Sequence, residues 1–198
     1  KIYIYLPKGN NYSEMEKIKI LDRSFRLYLT SEEIHNIVKA TARKINACYK
    51  DFSGDNVPLF IGILNGVYMF AADLMKEIEF DCEISFIKLS SYQGVSSTGK
   101  ITELIGLNES IEGRDIIVLD EIVDTGITIE TLYETLRKYH PKSVRIATLI
   151  YKYNNCKKDI KIDFAGIRMP ENHFIVGYGL DYSERGRQLK DIYIEDKE

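Results

Sequence analysis

The sequence predicts an α/β fold, with an open, mainly parallel twisted sheet, helices on both faces and a small strand-rich hood. Two unbroken apolar runs, at 59–63 and 116–119, have the length of strands that are buried on both faces of a parallel sheet. Each run leads through a turn into a segment of helical periodicity, so strands and helices alternate along the chain. Ligands are expected outside the carboxyl ends of the strands.

A helix precedes the first of these strands. Thr30 and Glu33 have the spacing of a capping box, in which each side chain bonds the backbone of the other residue. Apolar residues then recur at helical intervals over 34–48. This amphipathic helix is expected to cover one face of the sheet.

The remaining core elements again alternate in type. In chain order they are a strand at 59–63, a turn at 64–66, a helix from Val67 towards Ile78, strands at 83–89 and 116–119, a helix to about Tyr139 that Pro141 stops, and a strand at 144–150. The Ser-, Gly- and Thr-rich segment at about 90–101 interrupts this order and is expected to be a mobile loop.

The chain is expected to form a single domain at 17–198, after an N-terminal extension at 1–16 to which we assign no role. The core occupies about 30–153 of this domain. The hood is formed by about 17–29 and 154–198, where the apolar runs are too short for helices. These runs lie at 164–167, 174–178 and 192–194.

Composition and charge argue against several classes of protein. The 27 basic and 30 acidic side chains give a net charge of −3, so no global positive field attracts nucleic acid or an anionic membrane. The most apolar stretch, at 57–75, is interrupted by Pro58, Asn65 and Asp73, which argues against a membrane span. The three cysteines lie far apart, which argues against a disulfide framework and favours the reducing cytoplasm.

The most informative segment is 119–128. Its apolar strand delivers Asp120, Glu121 and Asp124 to the carboxyl end, and a Thr-Gly-x-Thr turn at 125–128 then opens a helix. Backbone N–H groups at such a turn can cradle a phosphate without any lysine. The carboxylates can accept hydrogen bonds from sugar hydroxyls, help to hold a hydrated Mg²⁺, or receive a proton.

A purely structural interpretation explains each of these residues singly, as a helix cap with acidic residues near the helix dipole. It explains the set less well. Three carboxylates clustered at the end of a buried strand repel one another unless a metal ion or a ligand relieves the repulsion. The segment therefore predicts a site for a sugar phosphate.

This segment resembles the phosphoribosyl pyrophosphate signature of the type I phosphoribosyltransferases. Further matches narrow the resemblance to the hypoxanthine, or hypoxanthine-guanine, phosphoribosyltransferases. They are Leu64-Asn65-Gly66, Ser91-Tyr92, Lys152, the run 174–182 and Arg187. The resemblance implies a purine-salvage enzyme that requires Mg²⁺ and transfers 5-phosphoribosyl to N9 of hypoxanthine, and also of guanine. Its products would be IMP or GMP and pyrophosphate.

The resemblance implies roles around the sugar phosphate. Asp124 is expected to act as the catalytic acid/base beside purine N7. Asp120 and Glu121 are expected to face the ribose hydroxyls and to ligate Mg²⁺, and the 5′-phosphate is expected to be held by Thr125, Gly126, Ile127 and Thr128.

At the pyrophosphate, the turn of Leu64, Asn65 and Gly66 is expected to bind through its backbone N–H groups, often with a non-proline cis peptide in this family. Arg187 is expected to neutralise pyrophosphate charge. Asp181 is expected to lie at the purine site and to help place a second Mg²⁺.

At the base, Phe174 is expected to stack on the purine and the Ile175 backbone to read its edge. Lys152 is expected to donate to the oxygen at C6, which disfavours adenine because its amino group is also a donor. Ser91 and Tyr92 are expected to belong to a loop that closes over the site and excludes water.

The chain departs from many relatives at a few positions. Asp120 and Glu121 stand in the reverse order, and Asn65 and Ile127 stand where some relatives carry lysine. Both of the latter positions are expected to act mainly through backbone N–H groups, with less positive charge near the pyrophosphate.

Alternatives within and outside this enzyme class remain. One is a relative that prefers xanthine or guanine, because discrimination at C2 depends on backbone carbonyls that the sequence does not locate. The other is a regulator that senses phosphoribosyl pyrophosphate and binds nucleic acid, which the acidic balance disfavours. Since relatives are commonly dimers or tetramers, a homodimer or homotetramer is expected.

Overall fold

The fold is that of a computed structural model, which describes residues 17–54, 56–91, 101–105 and 110–196. The predicted extension at 1–16 and the loop residues 92–100, with Tyr92, lie outside the described residues. Three helices are described, α1 (Ser31–Tyr49), α2 (Tyr68–Met75) and α3 (Ile127–Arg137).

A six-stranded sheet forms the core, in the order β5-β4-β3-β6-β7-β8. Its strands are β3 (Leu59–Leu64), β4 (Glu83–Ser91), β5 (Ile101–Ile105), β6 (Asp115–Val123), β7 (Ser143–Tyr151) and β8 (Phe164–Arg168). All neighbours pair in parallel except β5, which runs antiparallel to β4 at the edge. The prediction of an open, mainly parallel sheet is therefore confirmed.

Helices cover both faces of this sheet, which explains the unbroken apolar strands. Phe60 of β3 points into the cluster that contains residues of α1 and α2, whereas its neighbour Ile61 points into the cluster that contains residues of α3. Ile117 and Ile116 of β6 divide between the two clusters in the same way. Successive residues of a strand face opposite sides, so both sets must be apolar.

The predicted strand-rich hood is present, as a separate antiparallel sheet in the order β1-β2-β10-β9. It consists of β1 (Lys17–Ile20), β2 (Arg23–Leu29), β9 (Ile175–Val176) and β10 (Ile192–Glu195). A small cluster around Phe25, Val176 and Tyr193 forms its core. Strands from both ends of the described chain thus meet in one sheet beside the main core.

The prediction for the run at 164–167 was wrong. These residues form β8, which pairs in parallel with β7 at the edge of the main sheet and not in the hood. Gly166 allows this close fit, because a Cβ there would lie 2.7 Å from the carbonyl oxygen of Leu149 and 2.8 Å from the side chain of Ile37. A five-residue run carries too little periodicity to show which sheet it joins.

Smaller differences concern the ends of elements. The helix after β3 ends at Met75 and does not continue to Ile78. The segment at 101–105 was not predicted to be a strand, yet it forms β5 through backbone pairing with β4. In the part of the chain that the structure describes, no helix has the length and apolarity needed to cross a membrane.

Candidate functional site

The candidate site lies at the carboxyl edge of the main sheet, where three backbone segments come into contact. A methyl group at Gly66, just after β3, would overlap the carboxylate of Glu121 in β6. A methyl group at Gly179, in the turn that follows β9, would overlap the carbonyl group of Gly66. The two glycines therefore let the turn at 64–66 fit between β6 and the hood.

Two desolvated carboxylates form the centre of this edge. Asp120 is only 9% exposed, and its burial together with the adjacent Glu121 raises its pKa well above the usual range. Burial also raises the pKa of Glu121, although the charge of Arg187 acts in the opposite direction. Burying two such carboxylates side by side is costly, and a cation or hydrogen-bond donors would relieve that cost.

The donor set at this edge fits Mg²⁺. This ion usually takes one or two carboxylates and completes its shell with water and substrate phosphate oxygens. Asp120 and Glu121 supply two adjacent oxygen donors of that kind. No group of three or more histidine, cysteine or acidic side chains arranged for a metal is found within the described ranges.

Asp181 is already engaged by protein groups. One of its oxygens pairs with Nη2 of Arg187 at 2.7 Å, and the other accepts a hydrogen bond from the Glu184 backbone N at 2.8 Å. Asp181 also lies close enough to Glu121 for its charge to raise the pKa of that carboxyl. Its predicted contact with a second Mg²⁺ stays a prediction.

Arg187 is held at the site by backbone and carboxylate partners. Its Nη1 donates to the carbonyl oxygen of Gly179 at 2.8 Å, and Nη2 contacts Asp181 and Glu184. Its Nε is the one buried side-chain N or O atom without a hydrogen-bond partner that the described residues include. A buried unsatisfied donor is costly, so this atom is suited to an acceptor brought by an anionic ligand.

The turn at 64–66 has the predicted backbone form. The peptide bond between Leu64 and Asn65 is cis, as the resemblance implied. Both side chains are exposed, so the inward-facing part of the turn is its backbone.

The turn at 125–128 opens α3 with its backbone N–H groups directed to the same edge. Gly126 has φ +80°, the left-handed conformation that favours glycine, and a Cβ there would lie 2.7 Å from the Cys156 Sγ. No side chain among the described residues caps the start of α3, which leaves these N–H groups free for an anion. Ile127 is exposed, which agrees with a role for its backbone.

An ion pair between a buried lysine and a partly exposed aspartate lies beside this turn. Nζ of Lys152, whose side chain is only 6% exposed, contacts Oδ2 of Asp124 at 3.1 Å. The same Nζ donates to Oδ1 of Asn172 at 3.2 Å, and Nδ2 of Asn155 donates to the other carboxylate oxygen of Asp124. Sequence reasoning found the ion-pair residues and missed both asparagines, which belong to no recognisable motif.

The hood supplies an aromatic wall. Phe174 is partly exposed, and its ring meets Tyr182 edge-on at a centroid distance of 5.8 Å. The guanidinium of Arg23 lies 5.3 Å from the centre of the Phe174 ring and 4.5 Å from that of Tyr182. Arg23 was also missed, because only the folded hairpin of β1 and β2 brings it to the ring, and Tyr182 was part of the matched run 174–182 without a role of its own.

The hood turn is also tied to α2. The hydroxyl of Tyr178 donates to Oδ2 of Asp73 at 2.7 Å, and burial followed by this hydrogen bond raises the pKa of Tyr178. Ile175 is buried in β9 next to Phe174. The contacts described above join two sets of predicted site residues, namely Gly66, Glu121, Asp181 and Arg187 in one and Asp124 with Lys152 in the other. Tyr92 and the side chain of Ser91 are not described.

The comparisons with known proteins agree with this geometry. The family model for the phosphoribosyl transferase domain matches residues 30–183. The hypoxanthine-guanine phosphoribosyltransferase of Bacillus subtilis (strain 168) is 40% identical over 165 residues, which are 83% of this chain and 89% of that protein. The hypoxanthine phosphoribosyltransferase of Escherichia coli (strain K12) is 34% identical over 170 residues, 85% of this chain and 94% of that protein.

Solved structures are similar over most of the chain. A hypoxanthine phosphoribosyltransferase from Staphylococcus aureus is 35% identical with a TM-score of 0.75, over 86% of this chain and 91% of that one. The hypoxanthine phosphoribosyltransferase of Trypanosoma cruzi is 30% identical with a TM-score of 0.77, over 87% of this chain and 97% of that one.

The raised pKa of Asp120 predicts an unusual effect of pH on stability. Above its ordinary pKa of 3.8 the unfolded chain releases this proton while the folded chain retains it, so ionisation favours unfolding as pH rises. In the absence of divalent metal, we expect Asp120→Asn to raise the free energy of unfolding at pH 7 by about 1 to 3 kcal/mol, because the amide has no proton for the unfolded chain to release and each unit of raised pKa corresponds to about 1.4 kcal/mol. Urea denaturation in EDTA, repeated below pH 4, measures the effect and its disappearance.

Asp115, at the other end of β6, provides the matched control. Burial acts to raise its pKa, but hydrogen bonds from Lys142 and Ser143 outweigh burial and hold the pKa below its usual value. Its ionised form therefore stabilises the fold at neutral pH, and this contribution is lost as pH falls. Asp115→Asn is expected to lower stability at pH 7. If both substitutions changed the free energy of unfolding at pH 7 in the same direction, the opposite pKa shifts assigned to Asp120 and Asp115 would be contradicted.

Proposed function

The chain belongs to the phosphoribosyl transferase family, and on that premise we propose that it is a purine-salvage enzyme that transfers 5-phosphoribosyl from phosphoribosyl pyrophosphate to N9 of a 6-oxopurine. Hypoxanthine is the first acceptor and guanine the second, and IMP or GMP and pyrophosphate are the products. The assignment of hypoxanthine rests on the names of the relatives in the two comparisons.

The observation that carries the proposal for this chain is the ion pair of the buried Lys152 with the partly exposed Asp124 beside the phosphate turn. A 6-oxopurine presents an oxygen at C6 next to N7 on one edge. Lys152 donates to that oxygen and Asp124 faces N7, so one base orientation satisfies both groups. Adenine presents an amino group instead, which leaves the buried ammonium facing a donor.

The protein binds the sugar phosphate at its 5′-phosphate and at its ribose hydroxyls. The backbone N–H groups and hydroxyls of 125–128 and the start of α3 hold the 5′-phosphate. Asp120 and Glu121 accept hydrogen bonds from the ribose hydroxyls and hold Mg²⁺. When bound there, Mg²⁺ neutralises charge on the departing pyrophosphate.

The reaction exchanges one bond at the anomeric carbon for another. The bond from C1′ to the pyrophosphate oxygen breaks, N9 of the base forms its bond to C1′, and Asp124 receives the proton from N7. The positive charge that develops on the sugar is stabilised by the carboxylates at this edge. The backbone of 64–66 and the guanidinium of Arg187, including its unsatisfied Nε, receive the pyrophosphate.

The base is positioned by the hood. Phe174 stacks on the purine face, the backbone of Ile175 reads its edge, and Asp181 borders the same pocket. From the resemblance alone, we propose that Ser91 and Tyr92 help to exclude water from the reactive sugar.

The two alternatives are not favoured. The similar proteins carry the names of hypoxanthine and hypoxanthine-guanine enzymes, which speaks against a xanthine-preferring enzyme or a nucleic-acid-binding regulator. Cys48, Cys82 and Cys156 are all unpaired, which supports the predicted cytoplasmic location because free thiols persist in a reducing compartment.

Self-association is proposed through an exposed apolar surface at the edge of the sheet. Ile84 and Phe86, two residues apart on one face of β4, are 39% and 37% exposed, and Tyr68 at the start of α2 is 40% exposed. A Cβ at Gly62 would touch both Phe86 and Val67, so the strand residues and the start of α2 adjoin. A second copy of this chain is the proposed occupant, giving a homodimer or a homotetramer.

Product formation tests the proposed function directly. With phosphoribosyl pyrophosphate and Mg²⁺, we expect rapid turnover of hypoxanthine and guanine, no turnover of adenine and loss of activity in EDTA. Xanthine, assayed in parallel, ranks the third 6-oxopurine. If phosphoribosyl pyrophosphate binds and no base reacts, the enzymatic assignment is wrong and the regulator alternative gains support.

The role of Asp124 is tested by Asp124→Asn. We expect kcat to fall roughly 10²- to 10⁴-fold, the usual contribution of a general acid or base, while binding of phosphoribosyl pyrophosphate changes little. Asp51→Asn, which removes a largely exposed carboxylate between α1 and β3, is the matched control. Unchanged turnover in the Asp124 variant would remove Asp124 from its role.

The proposed self-association is tested by Ile84→Glu. We expect the wild type to sediment as a dimer or larger, and the variant to sediment as a monomer because a carboxylate in an apolar contact is costly to desolvate. Tyr139→Glu, at an exposed tyrosine beyond the end of α3, is the control and should leave the assembly intact. Identical sedimentation of the wild type and Ile84→Glu would exclude this surface as the contact.

A further inference from the structure

We propose that two amide side chains, Asn155 and Asn172, position the pair of Lys152 and Asp124 for the base. Asn155 donates to the acid, and Asn172 accepts from the ammonium. This inference rests on the proposed function, because it assigns Lys152 and Asp124 to the base and adds two residues that hold them. Both asparagines are positioning residues, since they act through their charged neighbours.

The ammonium of Lys152 has three N–H donors and limited access to water. One donor is directed at Oδ2 of Asp124 at 3.1 Å, and a second at Oδ1 of Asn172 at 3.2 Å. Throughout the described ranges no acceptor for the third donor is found. With two donors fixed by the protein, the third is left for the oxygen at C6 of the base.

The carboxylate of Asp124 is held from two sides as well. Oδ2 contacts Lys152, and Oδ1 accepts a hydrogen bond from Nδ2 of Asn155. The backbone of Asn155 is itself fixed, because its N–H donates to the carbonyl oxygen of Lys152 at 3.1 Å. Asp124, Lys152 and Asn155 therefore form a closed ring of interactions at the ends of β6 and β7.

The two amides keep the ammonium and the carboxylate from bonding only to each other. The ammonium of Lys152 is buried, so water screens its attraction to the partly exposed carboxylate only incompletely, and without other partners it would turn two of its donors onto Asp124. Asn172 offers the ammonium a second acceptor on another side, which keeps it directed away from the carboxylate. Asn155 keeps Asp124 in place when Lys152 engages the base.

The roles of the two amides are opposite in chemical sense. Asn155 acts only as a donor to Asp124, whereas Asn172 acts only as an acceptor from Lys152. The nearly isosteric change to aspartate must therefore have opposite consequences at the two positions. At Asn172 it preserves an acceptor, and at Asn155 it places one carboxylate against another.

The test compares alanine and aspartate variants at both positions, with steady-state kinetics for hypoxanthine and for phosphoribosyl pyrophosphate. Asn172→Ala is expected to raise KM for hypoxanthine roughly tenfold, the effect of one lost hydrogen bond to a charged group, with KM for phosphoribosyl pyrophosphate unchanged. In Asn172→Asp, KM for hypoxanthine should return most of the way to the wild-type value.

At Asn155 the aspartate variant is expected to be more impaired than the alanine variant. Asn155→Ala is expected to lower kcat roughly tenfold with little change in either KM, and Asn155→Asp to lower kcat further. Asn154→Ala, at the exposed neighbouring asparagine, is the matched control and should behave as the wild type. Thermal unfolding of every variant shows whether the fold is retained.

The possible outcomes separate this inference from the proposed function. If the wild type turns over no 6-oxopurine, the proposed function fails and the inference fails with it. Two results with an active wild type would overturn only the positioning roles. One is a kcat of Asn155→Asp that equals or exceeds the kcat of Asn155→Ala. The other is a KM for hypoxanthine that is as high in Asn172→Asp as in Asn172→Ala. A structural role of the two amides would not produce opposite effects of the same substitution.

Discussion

The parallel pairing of β6 with its two neighbours is the constraint on which the rest of the site depends. Val123, the last residue of β6, lies opposite Tyr151, the last residue of β7. The residues that follow, Asp124 and Lys152, therefore lie side by side. Gly62 of β3 lies opposite Leu119, which places the turn after β3 against the acidic segment. A slip of one residue would reverse every side chain of the strand and separate these groups.

The two ends of β6 show how one strand serves stability and function separately. At its start, Asp115 is buried but receives hydrogen bonds from Lys142 and Ser143, so its charge is satisfied by the protein. Near its end, Asp120 and Glu121 are buried side by side, and burial disfavours the charge of both. Such unrelieved charge is expected where a ligand, and not the fold, completes the interactions.

The sequence predicted what depends on local pattern. The buried strand at 59–63 could be predicted because an unbroken apolar run needs two covered faces. The turn at 125–128 could be predicted because its backbone conformation requires particular residues. The sheet joined by β8 was not readable, since Gly166 and backbone pairing decide it. Asn155, Asn172 and Arg23 were missed for the same reason, because only the tertiary fold brings these common polar residues to the site.

The contact between Gly66 and Gly179 joins the two halves of the site through their main chains. Because no side chain lies between them, neither segment can move without pressing on the other. Under the proposed function the turn at 64–66 receives the diphosphate and the turn with Gly179 borders the base, so departure of the diphosphate and release of the base would be mechanically coupled. A directed-evolution library aimed at new acceptor bases should therefore vary the surrounding side chains and leave both glycines untouched.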